Sequence, residues 1–197
     1  MSKKNKIYAM LLSAGLSGRM KKFKPLLMYK GDSFVQNIVL KLSSVCGKII
    51  IVTGYEAKEV EKNINKLNLQ SKIDFVFNPD FEKEMFTSLK SGLRKAGEAD
   101  WILYHFVDQP GLPTEFYSEF LKQIDDEHNW IQPAIKKRRG HPILIKKELF
   151  ELILKALDGS NLREISGSPI VKKKYWECNY SEIFQDVDTE EDYLKLK

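Results

Sequence analysis

The sequence predicts an α/β fold with a mostly parallel sheet covered by helices on both faces. Three observations carry this. Strand-like and helix-like stretches alternate, strand then helix, four times over between residues 7 and 125, the signature of βαβ units. The strand-like runs are short and almost continuously apolar, as strands buried on both faces are. The first run stops abruptly at the small-residue loop Ser13-Ala14-Gly15-Leu16-Ser17-Gly18, which is followed by Arg19, Lys21, Lys22 and Lys24. A buried strand ending in a cationic glycine loop is a recurring way to hold phosphates, because backbone N–H groups face the anion and the cations neutralise it.

The elements follow in order. Residues 7–12 are a buried strand. Residues 33–45 carry Phe34, Ile38, Leu42 and Val45 at helical spacing. Residues 48–53 (KIIIVT) are short and β-branched, a second strand, and Gly54-Tyr55 turns into a charged helix over 56–67. Residues 73–77 form a third strand ended by Asn78-Pro79. Residues 86–96 form a helix that stops near Gly97. The fourth strand, 101–107 (WILYHFV), is the most apolar and delivers Asp108 at its C-terminal end before Gln109-Pro110-Gly111 breaks it. The second half is less regular. A helix is predicted over 114–125, two strands over 130–135 and 142–145 joined by a basic turn, and a helix over 147–157. A short helix starts at 161–165, a last strand covers 183–187, and an acidic helix closes the chain at 190–196. No repeat or long linker divides the sequence, so one domain is expected over 1–197, with a nucleotide-binding half of about 1–112 and an acceptor-binding half of about 113–197.

Bulk properties narrow the function classes. The net charge of +5 suits anionic small molecules as well as nucleic acid and does not choose between them. Cys46 and Cys178 have no CxxC partner, so neither a disulfide framework nor a zinc site is indicated. The apolar run after MSKKNK is too short for a signal-peptide core, and no run approaches the roughly 18 residues that span a bilayer. A cytoplasmic protein without a membrane partner is expected. KKFK and KKRR lack an accompanying array of stacking aromatics, which argues against nucleic acid.

In such sheets ligands bind beyond the carboxyl ends of the strands, so the glycine loop and Asp108 should share one crevice. The loop is neither GxxxxGK[ST] nor GxGxxG. Read from the residues alone, Asp108 either faces a cation, for which Mg²⁺ is well suited, or caps the next turn. Asp186 and Asp188, two apart at the end of the predicted last strand, either point at Asp108 or begin the last helix. His141, in RRGHP, reads first as an exposed turn residue and second as a substrate contact. His105 reads as a satisfied core histidine, and Thr87 and Ser88 read as helix-start residues.

Leu12-Ser13-Ala14-Gly15-Leu16-Ser17-Gly18-Arg19-Met20, followed by Lys24, resembles the LxAGxSxRMGxxK signature of the MobA-like nucleotidyltransferases, and most closely that of the molybdenum cofactor cytidylyltransferase branch. Val52-Thr53-Gly54-Tyr55, Asn78-Pro79-Asp80-Phe81, Thr87-Ser88-Leu89, Asp108-Gln109-Pro110, Gly140-His141-Pro142 and Asp186-Val187-Asp188-Thr189 agree in order along nearly the whole chain. One departure is Lys21, where the family usually has Gly. The resemblance implies a Rossmann-like three-layer α/β/α sandwich of the nucleotide-diphospho-sugar transferase type. It also implies Mg²⁺-dependent transfer of CMP from CTP, as co-substrate, to molybdopterin, with pyrophosphate leaving. Carried onto this chain, Arg19, Lys24 and Asp108 are catalytic, and Asp108 and Asp188 hold the metal, with Asp186 behind them. Leu12, Ser13, Ala14, Gly15, Ser17, Gly18, Arg19, Lys24, Thr53, Gly54, Thr87 and Ser88 bind the nucleotide. Gln109, Pro110, Gly140, His141 and Pro142 form the acceptor side. Ala14 stands where the guanylyl-transferring branch has the first glycine of AGG, which favours CTP over GTP. A molybdoenzyme or its chaperone is the expected recipient of the product. The rival readings are a guanylyltransferase for the same cofactor, a cytidylyltransferase acting on methylerythritol phosphate or a sugar phosphate, and a binding protein without turnover.

Overall fold

The computed structural model describes residues 5–20, 22–157 and 159–196, and Arg19 through its backbone alone; Lys21 and the Arg19 side chain, both singled out above, lie outside the description. Ten strands and seven α-helices occur among the described residues. The strands are β1 (Ile7–Ser13), β2 (Met28–Tyr29), β3 (Asp32–Ser33), β4 (Lys48–Thr53), β5 (Ile73–Phe77), β6 (Trp101–Phe106), β7 (Trp130–Ile135), β8 (Arg138–Arg139), β9 (Ile143–Lys146) and β10 (Lys173–Glu177). The helices are α1 (Phe34–Val45), α2 (Ala57–Ile64), α3 (Met85–Lys95), α4 (Thr114–Leu121), α5 (Phe150–Lys155), α6 (Leu162–Ser166) and α7 (Glu190–Leu196).

The main sheet runs β10-β7-β9-β6-β1-β4-β5, with β8 paired to β7. β5, β4, β1 and β6 are parallel, and β9 is antiparallel to both of its neighbours. β1 is central because both of its edges are paired: Leu12 faces Val52 on one side and Phe106 on the other. The pleat then divides the core. Ala9 and Leu11 pack with Val35, Ile38 and Leu42 of α1 and Phe116 and Phe120 of α4. Met10 and Leu12 pack with Leu89 and Leu93 of α3 and Ile153 of α5. This alternation gives the three layers expected from the sequence. Each fully buried apolar side chain of this kind contributes about 1.5–3 kcal/mol. α1 is started by a capping box, with the Ser33 hydroxyl accepting from Gln36 N–H and the Gln36 amide oxygen accepting from Ser33 N–H.

Two expectations are corrected. Residues 183–187 are not a strand. They comprise the end of a 3-10 turn, Ser181–Phe184, and an extended run whose backbone bonds go to loops. His141 N–H donates to Ile183 C=O, and Val187 N–H donates to Asp108 C=O. Ile183 and Val187 are buried, which explains the apolar signal without a ladder. The actual last strand is β10, parallel to β7 at the sheet edge. Its sequence, KKYWE, hides it: Trp176 stacks on Phe120, and the charged neighbours suit an edge strand. The helix expected over 114–125 ends at Leu121, because Asp125 instead caps a turn by accepting from Glu127 N–H and His128 N–H. No helix of the described residues is long and apolar enough to cross a membrane.

Candidate active site

The carboxyl ends of β1 and β6 lie side by side, so the glycine loop and Asp108 meet as the topology requires. The loop folds back on itself. Ser17 adopts a left-handed conformation (φ 54°), its carbonyl accepts from Met20 N–H, and its hydroxyl accepts from Lys24 N–H at 3.0 Å. Pro25, at the first turn of the 3-10 segment Lys24–Leu26, then fixes the direction in which Lys24 leaves the backbone.

Two clefts open here. The first, about 360 Å³, is lined by Leu12, Ser13, Ala14, Gly15, Ser17, Lys24, Ser88 and Asp108, with Phe81, Glu82, Lys83 and Met85 across from them. The second, about 580 Å³, is lined by Tyr104, Phe106, Asp108, His141, Asp186 and Asp188, with Met85, Phe86, Asn161 and Leu162 on its far wall. Asp108 and Phe106 belong to both, so the carboxylate stands where the clefts join.

Among the described residues, the electrostatics centre on Asp108, Asp186, Asp188 and the Lys24 ammonium. Lys24 Nζ lies 2.6 Å from Asp188 Oδ1 and 3.7 Å from Asp108 Oδ2. Burial lifts the Asp108 carboxyl to about 6; Lys24 opposes the shift, and the charges of Asp186 and Asp188 add to it. Asp108 Oδ1 is buried without a hydrogen-bond partner. Asp186 is also raised, first by burial, while the Gln109 amide holds it down by donating to Oδ1 at 2.7 Å.

His141 is not the exposed turn residue that its sequence context favoured. It packs edge-on against Phe106 at 4.7 Å, lines the second cleft, and has a buried Nδ1 without a partner. Burial pulls its pKa to about 4, so at neutral pH the ring is uncharged. His105 is the core histidine expected: fully buried, bonded to Phe106 C=O and the Tyr117 hydroxyl, and pulled by burial to about 3.

Several sequence-selected residues line neither cleft. Gly18 opens a 3-10 turn beyond the loop. Thr53 is fully buried, and Gly54 has no room for a side chain beside Phe81 and Ala14 C=O. Thr87 donates to Glu84 C=O, while the Asn78 amide donates to Thr87 and Ser88 together, tying the start of α3 to the end of β5. Gln109 is buried with its amide turned to Asp186 and Ile183 C=O. Pro110 C=O accepts from Lys41 on the far side. Gly140 packs on Ile183, and Pro142 is buried ahead of β9. The sequence reading missed Phe81–Met85 as a wall, and Tyr104 and Phe106 as a floor. Alternation along β6 was the available signal, since Tyr104 and Phe106 share one face.

A family model for the MobA-like NTP transferase domain matches residues 9–172. The chain belongs to this family. It is therefore a nucleotidyltransferase. Among MobA-like relatives, it is 27% identical to the molybdenum cofactor cytidylyltransferase of Escherichia coli K12 over 192 residues, covering 97% of this chain and 95% of that one. A probable molybdenum cofactor guanylyltransferase of Bacillus cytotoxicus is 23% identical over 203 residues, covering 96% of each. The solved structure of a nucleotidyl transferase from Methanothermobacter thermautotroptrophicus superposes with a TM-score of 0.81 at 24% identity, covering 98% of this chain and 96% of that one, and shares the fold.

Proposed function

We propose that this MobA-like enzyme transfers CMP from CTP to molybdopterin and releases pyrophosphate. The observation that carries the reading is the junction of the two clefts at Asp108. A nucleoside triphosphate in the first cleft and a phosphorylated acceptor in the second bring the α-phosphorus and the attacking oxygen to one carboxylate-lined point. The acceptor phosphate oxygen attacks the α-phosphorus, the bond to the bridging oxygen of the β-phosphate breaks, and pyrophosphate leaves with that electron pair. Positioning and charge stabilisation supply most of the rate.

The residues divide the work as follows. Leu12, Ser13, Ala14, Gly15, Ser17 and Ser88 form the wall for the nucleoside and phosphates, with Gly18 shaping the loop and Thr53, Gly54 and Thr87 supporting it from behind. Lys24 and Arg19 neutralise the triphosphate. Neutral His141 presents its ring to the acceptor, while Gly140 and Pro142 shape that side and Pro110 supports it from behind. Gln109 keeps Asp186 turned toward the site. The buried, unpartnered Asp108 Oδ1 and the nearby Asp188 carboxylate fit a hard divalent cation, and Mg²⁺ held there supplies positive charge to the phosphate oxygens. Among the described residues no three acids or imidazoles form a ready metal cluster, which suits an ion that keeps most of its ligands as water and phosphate. The enzyme then acts in the cytoplasm as one domain, and its product passes to a molybdoenzyme or its chaperone.

Ala14 in the loop and the cytidylyltransferase relative favour CTP; the guanylyltransferase relatives support GTP as a second reading. A panel of CTP and GTP against reduced molybdopterin, methylerythritol phosphate and a sugar phosphate decides. The expected result is a kcat/KM for CTP with molybdopterin about a hundredfold above GTP. Turnover with GTP and not CTP would move the assignment to the second reading.

A further inference from the structure

We propose that Lys24 is an exchangeable counter-ion, holding the place of the divalent metal between Asp108 and Asp188 until a nucleoside triphosphate draws it away. The inference rests on the metal role given above to the two aspartates and goes beyond it by fixing the order in which cations occupy the site.

The geometry is specific. The Lys24 side chain is 12% exposed and its ammonium reaches both carboxylates, one closely and one at longer range. Among the described residues, the backbones around it are tied down. The Lys24 backbone is bonded to Ser17, Val187 N–H is bonded to Asp108 C=O, and Asp188 N–H is bonded to the Asp192 carboxylate. Asp186 is held by Gln109. The flexible member of the group is the four-carbon stem of Lys24, which also lines the first cleft. Buried acids without a cation are costly, so the ammonium keeps the acids assembled in the free enzyme. An ammonium and a divalent ion cannot both sit against the same carboxylate oxygens without mutual repulsion. A triphosphate in the first cleft offers the ammonium an alternative anion within reach of the same stem, and its departure opens the carboxylates to the metal. Metal and nucleotide then assist one another's binding reciprocally.

The test is Mn²⁺ binding by electron paramagnetic resonance of the free ion, using the whole enzyme near neutral pH and no nucleotide. Lys24→Met and Lys24→Gln, both checked by circular dichroism, should bind Mn²⁺ alone about tenfold or more tightly than the wild type, while losing CTP affinity. The sign is diagnostic, since a lysine that merely stabilised the site would weaken metal binding when removed. If both variants bind Mn²⁺ no better than the wild type, and the wild type still binds it with CTP, the exchange is wrong and the metal reading stands. If neither wild type nor variants bind Mn²⁺ with or without CTP, the metal reading fails and the exchange fails with it. The wild type gives a separate check. In ¹⁵N-edited spectra of the lysine ammonium groups, the Lys24 signal should shift when CTP and Mg²⁺ are added together and hold still with Mg²⁺ alone; a shift with Mg²⁺ alone overturns the order.

Discussion

Asp108→Asn should lower nucleotidyl transfer by about a thousandfold or more while leaving a folded, more heat-stable protein. The loss follows from position: among the described residues, Asp108 is the one acid that lines both clefts and carries an unpartnered buried oxygen. The gain follows from linkage. The folded-state carboxyl sits at about 6 against 3.8 for the unfolded group, so the native protein binds the extra proton between those values. Stability from this group is full below the lower value and falls as pH rises through the upper one. At neutral pH the ionised carboxylate is a net cost, and an amide removes it. Because Lys24 also loses a contact, the gain should be on the order of 1–2 kcal/mol at neutral pH, disappearing below the unfolded value. Thermal melts of both proteins across the acid range check the sign. A variant that keeps wild-type turnover would remove Asp108 from the mechanism.

Gly54→Ala should destabilise the enzyme by about 2–4 kcal/mol and raise the KM for nucleotide about tenfold, although Gly54 lines neither cleft. A Cβ there would stand 2.4 Å from Phe81 Cβ and 2.7 Å from Ala14 C=O. The same carbonyl accepts from Tyr55 N–H at 3.2 Å, so the added methyl pushes apart the end of β4 and the loop that carries Ala14. Urea denaturation and CTP titration report the two effects separately. Unchanged stability would mean that the glycine loop is not braced through this contact.

The parallel half of the fold was legible because β1, β4 and β6 are buried on both faces and half-buried β5 is still largely apolar, so each appears as an apolar run with a sharp end. The stops at Ser13, Thr53 and Phe77 fall within a residue of where the strands end. The edge was harder to read. Charged β10 lacks an apolar run, and the buried pair Ile183 and Val187 mimicked a strand although their own backbone groups bond to loops. Asp108 and Asp188 were legible as acids at the expected edge. Their meeting through Lys24 was not, since it joins positions far apart in sequence. His141 misled for a related reason: local sequence showed arginines and a proline, while its environment is set by Phe106 on a different strand. Gln109, Thr87 and Gly54 belong to recognisable segments, yet their side chains or backbones brace the site from behind, a distinction that only packing reveals.

The most direct test follows the α-phosphorus. With CTP labelled at that atom, reduced molybdopterin and Mg²⁺, the label should pass to the acceptor with one pyrophosphate released for each CMP transferred, and about a thousandfold or more slowly in Asp108→Asn. Label that stays in CTP, or that appears only as free CMP at the same rate in both proteins, would contradict the account.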